Sequence, residues 1–229
     1  MKLLLCSDFK NVGIKYLGKF FNLSKKNKCL FIGYASEDFD YDLSYTSASM
    51  ERIKSLGFDV VELKENYDFS DKIDMIFVRG GNTAKLLYLL RKFNQFEKIE
   101  KMVHDGTVYV GESAGSVLAG SDIEWTLRTE PYEVNLKEVF GKNAYNGFDF
   151  LHTLIFVHCS KYRFPYTDEV EGNKNVRLKN TQYYREYLND RKLFDKSQFI
   201  SLGNNQVYYE NEENKKIITF DWSNIPVFK

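Results

Sequence analysis

The sequence GESAG at residues 111–115 contains Ser113, the residue of the chain best suited to nucleophilic chemistry. Strand-forming residues precede this Gly-x-Ser-x-Gly motif and small or apolar residues follow it, which predicts a sharp turn from a strand into a helix. The two glycines remove collisions that side chains would make in so tight a turn. Free N–H groups at the helix start would stabilise an acyl-transfer intermediate. We therefore predict a serine nucleophile; the alternative is an ordinary connection with a capping serine.

A serine nucleophile requires a base, and His158 is the best candidate among the three histidines. It directly follows an apolar segment, residues 148–157, that is predicted as a strand. His152 would lie on the same face of that strand but well back from its end. His104, close to the end of a predicted helix, is interpreted as a structural or surface residue.

A second strand end carries a pair of glycines. The strand predicted at residues 73–78 leads into the sequence RGGNT at residues 79–83, and a leucine-rich helix follows. Backbone N–H groups at Gly80 and Gly81 would be accessible to a ligand at this edge of a parallel sheet. Gly81 is thus a candidate oxyanion donor, and Asn82 or Thr83 can cap the helix. The alternative is a tight turn that merely requires glycine.

The third member of a triad, which would orient the histidine, is not determined by spacing. Four acidic candidates lie between Ser113 and His158 in the sequence, and two asparagine candidates lie in a turn after a later strand. These candidates are Asp122, Glu124, Glu130, Asp149, Asn204 and Asn205.

The elements that must position these residues alternate between strand and helix. Apolar runs at residues 29–33, 60–63 and 73–78 are predicted as buried strands. Helical periodicity is found at residues 12–23, before the first of these runs, at 41–56, between the first two, and at 96–105, after the last. A further helix is predicted at residues 181–189, and residues 206–210 and 217–220 predict a C-terminal β-hairpin. The fold class is therefore α/β, with three layers, a mostly parallel central sheet and helices on both faces.

Composition limits the function classes. The chain has 229 residues, which we interpret as one domain spanning 1–229, and Lys plus Arg equals Asp plus Glu at 32 each. This balance does not favour nucleic acid or an anionic membrane as partner. Three scattered cysteines predict no disulfide framework or zinc site, and no nucleotide fingerprint is visible, so we expect no metal or cofactor. The first apolar run is too short for a signal peptide, and a cytoplasmic location is expected.

Taken together, the RGGNT segment, the GESAG motif and a histidine after a later strand resemble the dipeptidase E and cyanophycinase family of serine peptidases. The similarity spans most of the chain. It implies a flavodoxin-like or class I glutamine amidotransferase-like fold, with Ser113 as nucleophile and His158 as base. It also implies that the N–H groups of Gly81 and Ala114 form the oxyanion hole, flanked by Gly80 and Asn82.

The chain departs from that family at the third member. Asn204 stands in the turn where the family usually has a glutamate or aspartate. An asparagine can orient a histidine but supplies no negative charge to stabilise the imidazolium. Family relatives read an N-terminal aspartate through a basic group after the histidine, and here Arg177 and Arg185 are the candidates.

Two hypotheses follow. The first is a serine hydrolase, which acts on small peptides such as aspartyl dipeptides through an acyl-enzyme on Ser113. The second is a catalytically impaired family member with a binding or regulatory role, as Asn204 suggests. A glutamine amidotransferase would place cysteine at the turn and a His-x-Glu pair later, and an α/β-hydrolase would place the acid between serine and histidine. A homodimer is compatible with the sequence.

Overall fold

Buried apolar strands form the centre of the computed structural model, which describes residues 1–22, 25–36, 40–128, 130–158, 199–203 and 206–219. Nine strands occur within these ranges: β1 (Leu3–Cys6), β2 (Asn27–Ile32), β3 (Phe58–Glu62), β4 (Met75–Val78), β5 (Val108–Glu112), β6 (Leu154–Phe156), β7 (Phe199–Ser201), β8 (Gln206–Glu210) and β9 (Lys215–Thr219). The described helices are α1 (Ile14–Leu17), α2 (Asp40–Ser55), α3 (Thr83–Lys92), α4 (Phe96–His104), α5 (Ala114–Leu118) and α6 (Leu136–Phe140).

Seven of these strands form one sheet in the order β3-β2-β4-β5-β1-β8-β9. The first five in that order pair in parallel, whereas β8 pairs antiparallel with both β1 and β9. The hairpin turn between β8 and β9 is closed by a 2.9 Å hydrogen bond from the Asn211 amide to the Asn214 carbonyl. The carboxyl ends of β1, β4 and β5 therefore meet at one edge of the sheet, where open α/β sheets bind ligands.

Alternate residues of the central strands pack into two separate apolar cores. In β4, Ile76 and Val78 join a cluster that contains residues of α3, α4 and α5, whereas Met75 and Phe77 join a cluster that contains Leu17 of α1 and residues of α2. Because successive strand residues point to opposite faces, both faces of the sheet must be covered by helices. The predicted fold class is confirmed.

The strand predicted at residues 148–157 is the main difference from expectation. Only Leu154–Phe156 is extended, because Asp149 and His152 have positive φ angles of 54° and 52° that interrupt the alternation. This short β6 pairs in parallel with β7 and forms a separate two-stranded sheet. His152 and His158 consequently do not share one face of a continuous strand.

The helix predicted at residues 12–23 is also shorter than expected. A π-helical turn at Phe9–Gly13 precedes α1, which ends at Leu17. The irregular region after α5 contains a 3₁₀ turn at Glu124–Arg128 and the short α6. The helix predicted at residues 181–189 lies outside the described residues. Among the helices that are described, none combines the length and the apolar character that crossing a membrane requires.

Candidate active site

Ser113 lies in a strained turn between β5 and α5. Its backbone angles are φ 49° and ψ −109°, which residues with a side chain seldom adopt. A Cβ on Gly111 would lie 2.7 Å from the carbonyl carbon and oxygen of Gly115, and a Cβ on Gly115 would lie 2.2 Å from the Val78 carbonyl oxygen. Since these neighbours are backbone atoms that cannot swing aside, both positions require glycine for this turn to form.

Hydrogen bonds fasten the turn to the neighbouring strand β1. The Ser113 amide donates to the Cys6 carbonyl at 2.8 Å, and the Cys6 amide donates to the Ser116 hydroxyl at 2.9 Å. The buried Tyr109 hydroxyl donates to the Gly115 carbonyl at 2.6 Å. The side chains of Tyr109 and Ser116 therefore hold the start of α5, a role that no pattern in the sequence indicates.

His158 reaches Ser113 from the second, smaller sheet. It lies two residues beyond the end of β6, with a left-handed backbone at φ 58°. Its Nε2 atom is 3.0 Å from the Ser113 Oγ atom, which is hydrogen-bonding distance. The structure thus brings together two residues that are 45 positions apart in the sequence. His158 is exposed and Ser113 partly exposed, so the pair is open to solvent.

The loop after β4 packs directly against this pair. A Cβ on Gly80 would lie 2.9 Å from the Cβ of Ser113, and Gly81 has a φ of 140° with the Ala35 carbonyl oxygen only 2.4 Å from where its Cβ would lie. Asn82 caps α3, because its side chain accepts a 2.9 Å hydrogen bond from the Lys85 amide. The glycine pair therefore lets the loop approach the serine closely.

Two backbone N–H groups, those of Gly81 and Ala114, lie in the segments next to the serine side chain. Within the described ranges, neither the Gly81 amide nor the Ala114 amide donates to a backbone carbonyl. Ala114 directly follows Ser113, and Gly81 lies in the loop that contacts it. These are the positions from which oxyanion donors act beside such turns.

Two partly or fully buried ionisable side chains, Glu112 and Arg79, lie next to the candidate nucleophile in the sequence or in the adjacent loop. Glu112 immediately precedes Ser113, and its carboxylate accepts a 3.0 Å hydrogen bond from the Phe9 amide. Burial raises the pKa of the Glu112 carboxyl, while the Phe9 hydrogen bond and the charge of Arg79 counteract part of that rise. The Arg79 side chain is 4% exposed and donates to the Gly80 carbonyl at 3.2 Å. Arg79 thus connects the glycine loop to the charge next to the serine.

Glu130 packs against the start of α3. Its carboxylate accepts hydrogen bonds of 3.3 Å from both the amide and the hydroxyl of Thr83. Burial raises the pKa of this carboxyl to about 7, and the two hydrogen bonds limit the rise. The Asn82 amide group also reaches the Pro131 carbonyl at 3.3 Å. The segment after the 3₁₀ turn therefore closes over the glycine loop, which sequence reasoning did not anticipate.

The four acidic candidates between Ser113 and His158 each have a partner other than His158. Asp122 accepts from the Glu124 amide, Glu124 pairs with Lys137, and Asp149 pairs with His152 at 3.0 Å; Glu130 binds Thr83 as described above. These contacts do not favour the serine, acid, histidine order of an α/β-hydrolase.

Several predicted site residues fall outside the described part of the chain. They are the third-member candidates Asn204 and Asn205 and the basic candidates Arg177 and Arg185. Their flanks are described: the Leu202 amide donates to the Phe156 carbonyl at 2.9 Å, and the Gln206 amide donates to the Gly203 carbonyl at 3.0 Å. The segment that leads to Asn204 is thus attached to β6. No group of three or more His, Cys, Asp or Glu side chains that could hold a metal ion occurs in the described residues.

Comparison with known proteins identifies relatives over most of this structure. The family model for peptidase family S51 matches residues 4–213. Peptidase E of Haemophilus influenzae is 30% identical over 169 residues, which are 64% of this chain and 77% of that protein. Peptidase E of Actinobacillus pleuropneumoniae is 29% identical over 151 residues, which are 58% of this chain and 64% of that protein.

A solved structure shows the same fold. A Listeria monocytogenes EGD-e protein assigned as a peptidase E superposes with a TM-score of 0.70 at 22% identity, covering 96% of this chain and 98% of that one. The resemblance to dipeptidase E in the sequence motifs is confirmed, since the family model spans nearly all of the described core. The chain belongs to peptidase family S51.

Proposed function

We propose that this peptidase-family member hydrolyses small peptides by a serine mechanism, with Ser113 as nucleophile and His158 as general base. The observation that carries the proposal is the 3.0 Å contact between Ser113 Oγ and His158 Nε2 at the end of β5. A strained serine at a helix start and a histidine within hydrogen-bonding reach are the arrangement that activates an alcohol nucleophile.

The proposed reaction proceeds in two steps through an acyl-enzyme. In the first, Ser113 Oγ forms a bond to the carbonyl carbon of the peptide while its proton passes to His158 Nε2. The tetrahedral oxyanion would be stabilised by the N–H groups of Gly81 and Ala114. The carbon–nitrogen bond then breaks, and His158 returns the proton to the departing amine. In the second step a water molecule attacks the ester carbonyl carbon and gives a proton to His158. The ester carbon–oxygen bond then breaks, His158 returns the proton to Ser113 Oγ, and the carboxylic acid product leaves.

The neutral His158 must carry its proton on Nδ1 for this reaction, because Nε2 has to accept the serine proton. A hydrogen-bond acceptor facing Nδ1 would favour that tautomer. We propose Asn204 for this position, through its side-chain oxygen. The proposal is supported by the neighbouring segment, since Leu202 is hydrogen-bonded to Phe156 at the end of β6.

We further propose short peptides as substrates, aspartyl dipeptides among them. Relatives with matching segments are named peptidase E, and the resemblance of the motifs implies a basic group after the histidine that binds an N-terminal aspartate. Arg177 and Arg185 are the candidates here for binding such a carboxylate. Gly80 and Asn82 would contact the substrate from the loop after β4.

A second candidate function is favoured by Asn204. A neutral side chain at the third position cannot stabilise the imidazolium that forms when His158 takes the serine proton. The chain would then bind peptides without turning them over at a useful rate. A panel of dipeptides, assayed by release of free amino acid, separates the two candidate functions. Hydrolysis supports a peptidase, and binding without hydrolysis supports a catalytically impaired family member that binds peptides.

A fluorophosphonate probe tests the nucleophile directly. We expect wild-type protein to be labelled on Ser113 and the Ser113→Ala variant to remain unlabelled. The Ser55→Ala variant is the matched control, since Ser55 lies at the end of α2 with its hydroxyl bonded to the Arg52 carbonyl, and it should be labelled like wild type. If the native protein is not labelled, or Ser113→Ala is labelled equally, the serine mechanism is wrong.

A further inference from the structure

Ser7 is the first residue after β1 and lies between the two sheets that supply the reacting side chains. It is 3% exposed, and the residue before it, Cys6, accepts the hydrogen bond from the Ser113 amide. Ser7 is therefore one peptide unit away from the backbone contact that holds the nucleophile. Nothing in its sequence context, LLLCSD at residues 3–8, indicates a role in chemistry.

Both hydrogen-bonding functions of the Ser7 hydroxyl are used. Its oxygen accepts a 2.9 Å hydrogen bond from the His158 amide, and its proton is donated to the Leu202 carbonyl at 2.8 Å. The three groups form a chain from amide to hydroxyl to carbonyl, in which each bond polarises the next. One buried side chain thus joins the base segment, the segment before Asn204 and the strand beside the nucleophile.

His158 requires such an anchor because its position is not fixed by the central sheet. Its strand, β6, pairs only with β7 among the described strands, so no ladder hydrogen bond runs from it to β1 or β5. In addition, the left-handed backbone of His158 at φ 58° is unfavourable for a residue with a side chain and persists only where its surroundings impose it. The amide of this same residue donates the hydrogen bond that the Ser7 hydroxyl accepts.

We propose that Ser7 is the positioning residue for the catalytic base: its hydroxyl holds the His158 backbone so that Nε2 stays within reach of Ser113 Oγ. This inference rests on the proposed serine mechanism. Ser7 touches neither substrate nor the reacting atoms and acts through His158. The same hydroxyl connects the base to Leu202, in the described segment before Asn204.

The test measures fluorophosphonate inactivation of purified Ser7→Ala protein. We expect the maximal inactivation rate to fall by about 10- to 100-fold, as for a base displaced by about 1 Å, with the half-saturating probe concentration changed by less than about twofold. The pH profile of the rate is recorded for the same variant, because the base acts on the rate through its imidazole. With three histidines in the chain, the His158 ring signals can be followed by NMR in the same samples.

Two further variants separate positioning from a structural effect. Ser7→Thr keeps the hydroxyl and should restore most of the rate, and Ser7→Cys takes the place of Ser7→Ala if that variant does not fold. Thr107→Val is the matched control, because the Thr107 hydroxyl makes a comparable 3.3 Å bond to the Ile73 carbonyl at the opposite edge of the sheet. It should leave the rate unchanged.

The outcomes distinguish this inference from the proposed function. Wild-type protein labelled on Ser113 together with a folded Ser7→Ala variant of unchanged rate and pH profile would overturn the positioning role and leave the serine mechanism in place. If the wild-type protein is not labelled, both the serine mechanism and the positioning role of Ser7 are wrong. A reduced rate that Ser7→Thr restores supports the role of the hydroxyl.

Discussion

Replacing Ser113 by glycine and, separately, by alanine would measure the strain stored in the turn between β5 and α5. Both substitutions remove the hydroxyl, and they differ from each other by one methyl group. Ser113 has φ 49° and ψ −109°, a conformation that glycine adopts freely and that a residue with a Cβ resists. The two variants therefore isolate the conformational cost from the loss of the nucleophile.

The expected difference follows from two opposing free energies. Holding a non-glycine residue in such a region costs about 1–3 kcal/mol. Glycine, in turn, gives the unfolded chain more conformational freedom, which lowers the free energy of unfolding by about 0.4–1 kcal/mol relative to alanine. Taking the middle of each range, about 2 and about 0.7 kcal/mol, the Ser113→Gly variant should be more stable than Ser113→Ala by about 1.3 kcal/mol.

Gly18 provides the matched control because it has ordinary helical angles, φ −61° and ψ −11°, and an exposed position. An added Cβ there meets nothing within 4 Å, so Gly18→Ala should stabilise the protein by about 0.4–1 kcal/mol. Alanine is thus favoured at position 18 and glycine at position 113. Subtracting one comparison from the other cancels the entropy of the unfolded chain and leaves the strain.

Urea unfolding, followed by the fluorescence of the buried Trp125, gives the free energies of unfolding from midpoints with unchanged slopes. A Ser113→Gly variant that is no more stable than Ser113→Ala, in a protein where Gly18→Ala behaves as expected, would refute the reasoning. It would mean that the surroundings of Ser113 impose no strain on its backbone.

Two other predictions concern charge near the site. Because burial raises the pKa of Glu130 from 4.5 to about 7, the folded state favours the neutral carboxyl, and stability is lost as the pH rises from 4.5 through 7, by at most about 3 kcal/mol. Glu130→Gln should therefore stabilise the protein at about pH 8 and not at about pH 4, measured by urea unfolding; an equal effect at both would contradict this. Asn204→Glu should raise the rate of aspartyl dipeptide hydrolysis by as much as about 10⁴-fold if only the orienting charge is missing, whereas Asn205→Glu should not. If Asn204→Glu does not raise the rate, the hypothesis of a catalytically impaired family member is favoured.

The alternation of strands and helices could be predicted from the sequence because each central strand is buried on both faces. Runs such as Leu30 to Ile32 and Met75 to Val78 are apolar throughout, and such short continuous runs separated by helical periodicity indicate a parallel sheet. The segment at residues 148–157 looked similar but is mostly irregular. Its apolar residues, among them Phe148 and Phe150, pack on Tyr109 as part of the core without forming a strand. The Phe148 and Phe150 amides donate to the carbonyls of Leu118 and Ala119 at the end of α5, not to a neighbouring strand. Apolar residues buried in this way give the same sequence pattern as a buried strand.

The candidate site was predictable where local chemistry fixes it. The glycines around Ser113 are required by contacts within the turn and with Val78, so their spacing is visible in the sequence. Ser7 was not predictable, because its partners His158 and Leu202 are 151 and 195 residues away. Glu130 was considered as a triad member, and its contact with Thr83, 47 residues away, is likewise invisible to a local pattern.

Strain and anchoring at this site have a common geometric origin. A residue within β5 would point its side chain into one of the two apolar cores, and a residue within β6 would lie in a different sheet altogether. The positive φ angles of Ser113 and His158 interrupt the extended backbone that β5 and β6 would otherwise continue. The two side chains consequently leave the strand faces and approach each other. A conformation that the isolated chain disfavours must be stabilised by its surroundings. The Ser116 hydroxyl does this through its bond to Cys6, the last residue of β1, and the hydroxyl of Ser7, the next residue, does it by accepting from the His158 amide. The strand β1 therefore acts as the common support of nucleophile and base, although it contributes no reacting atom.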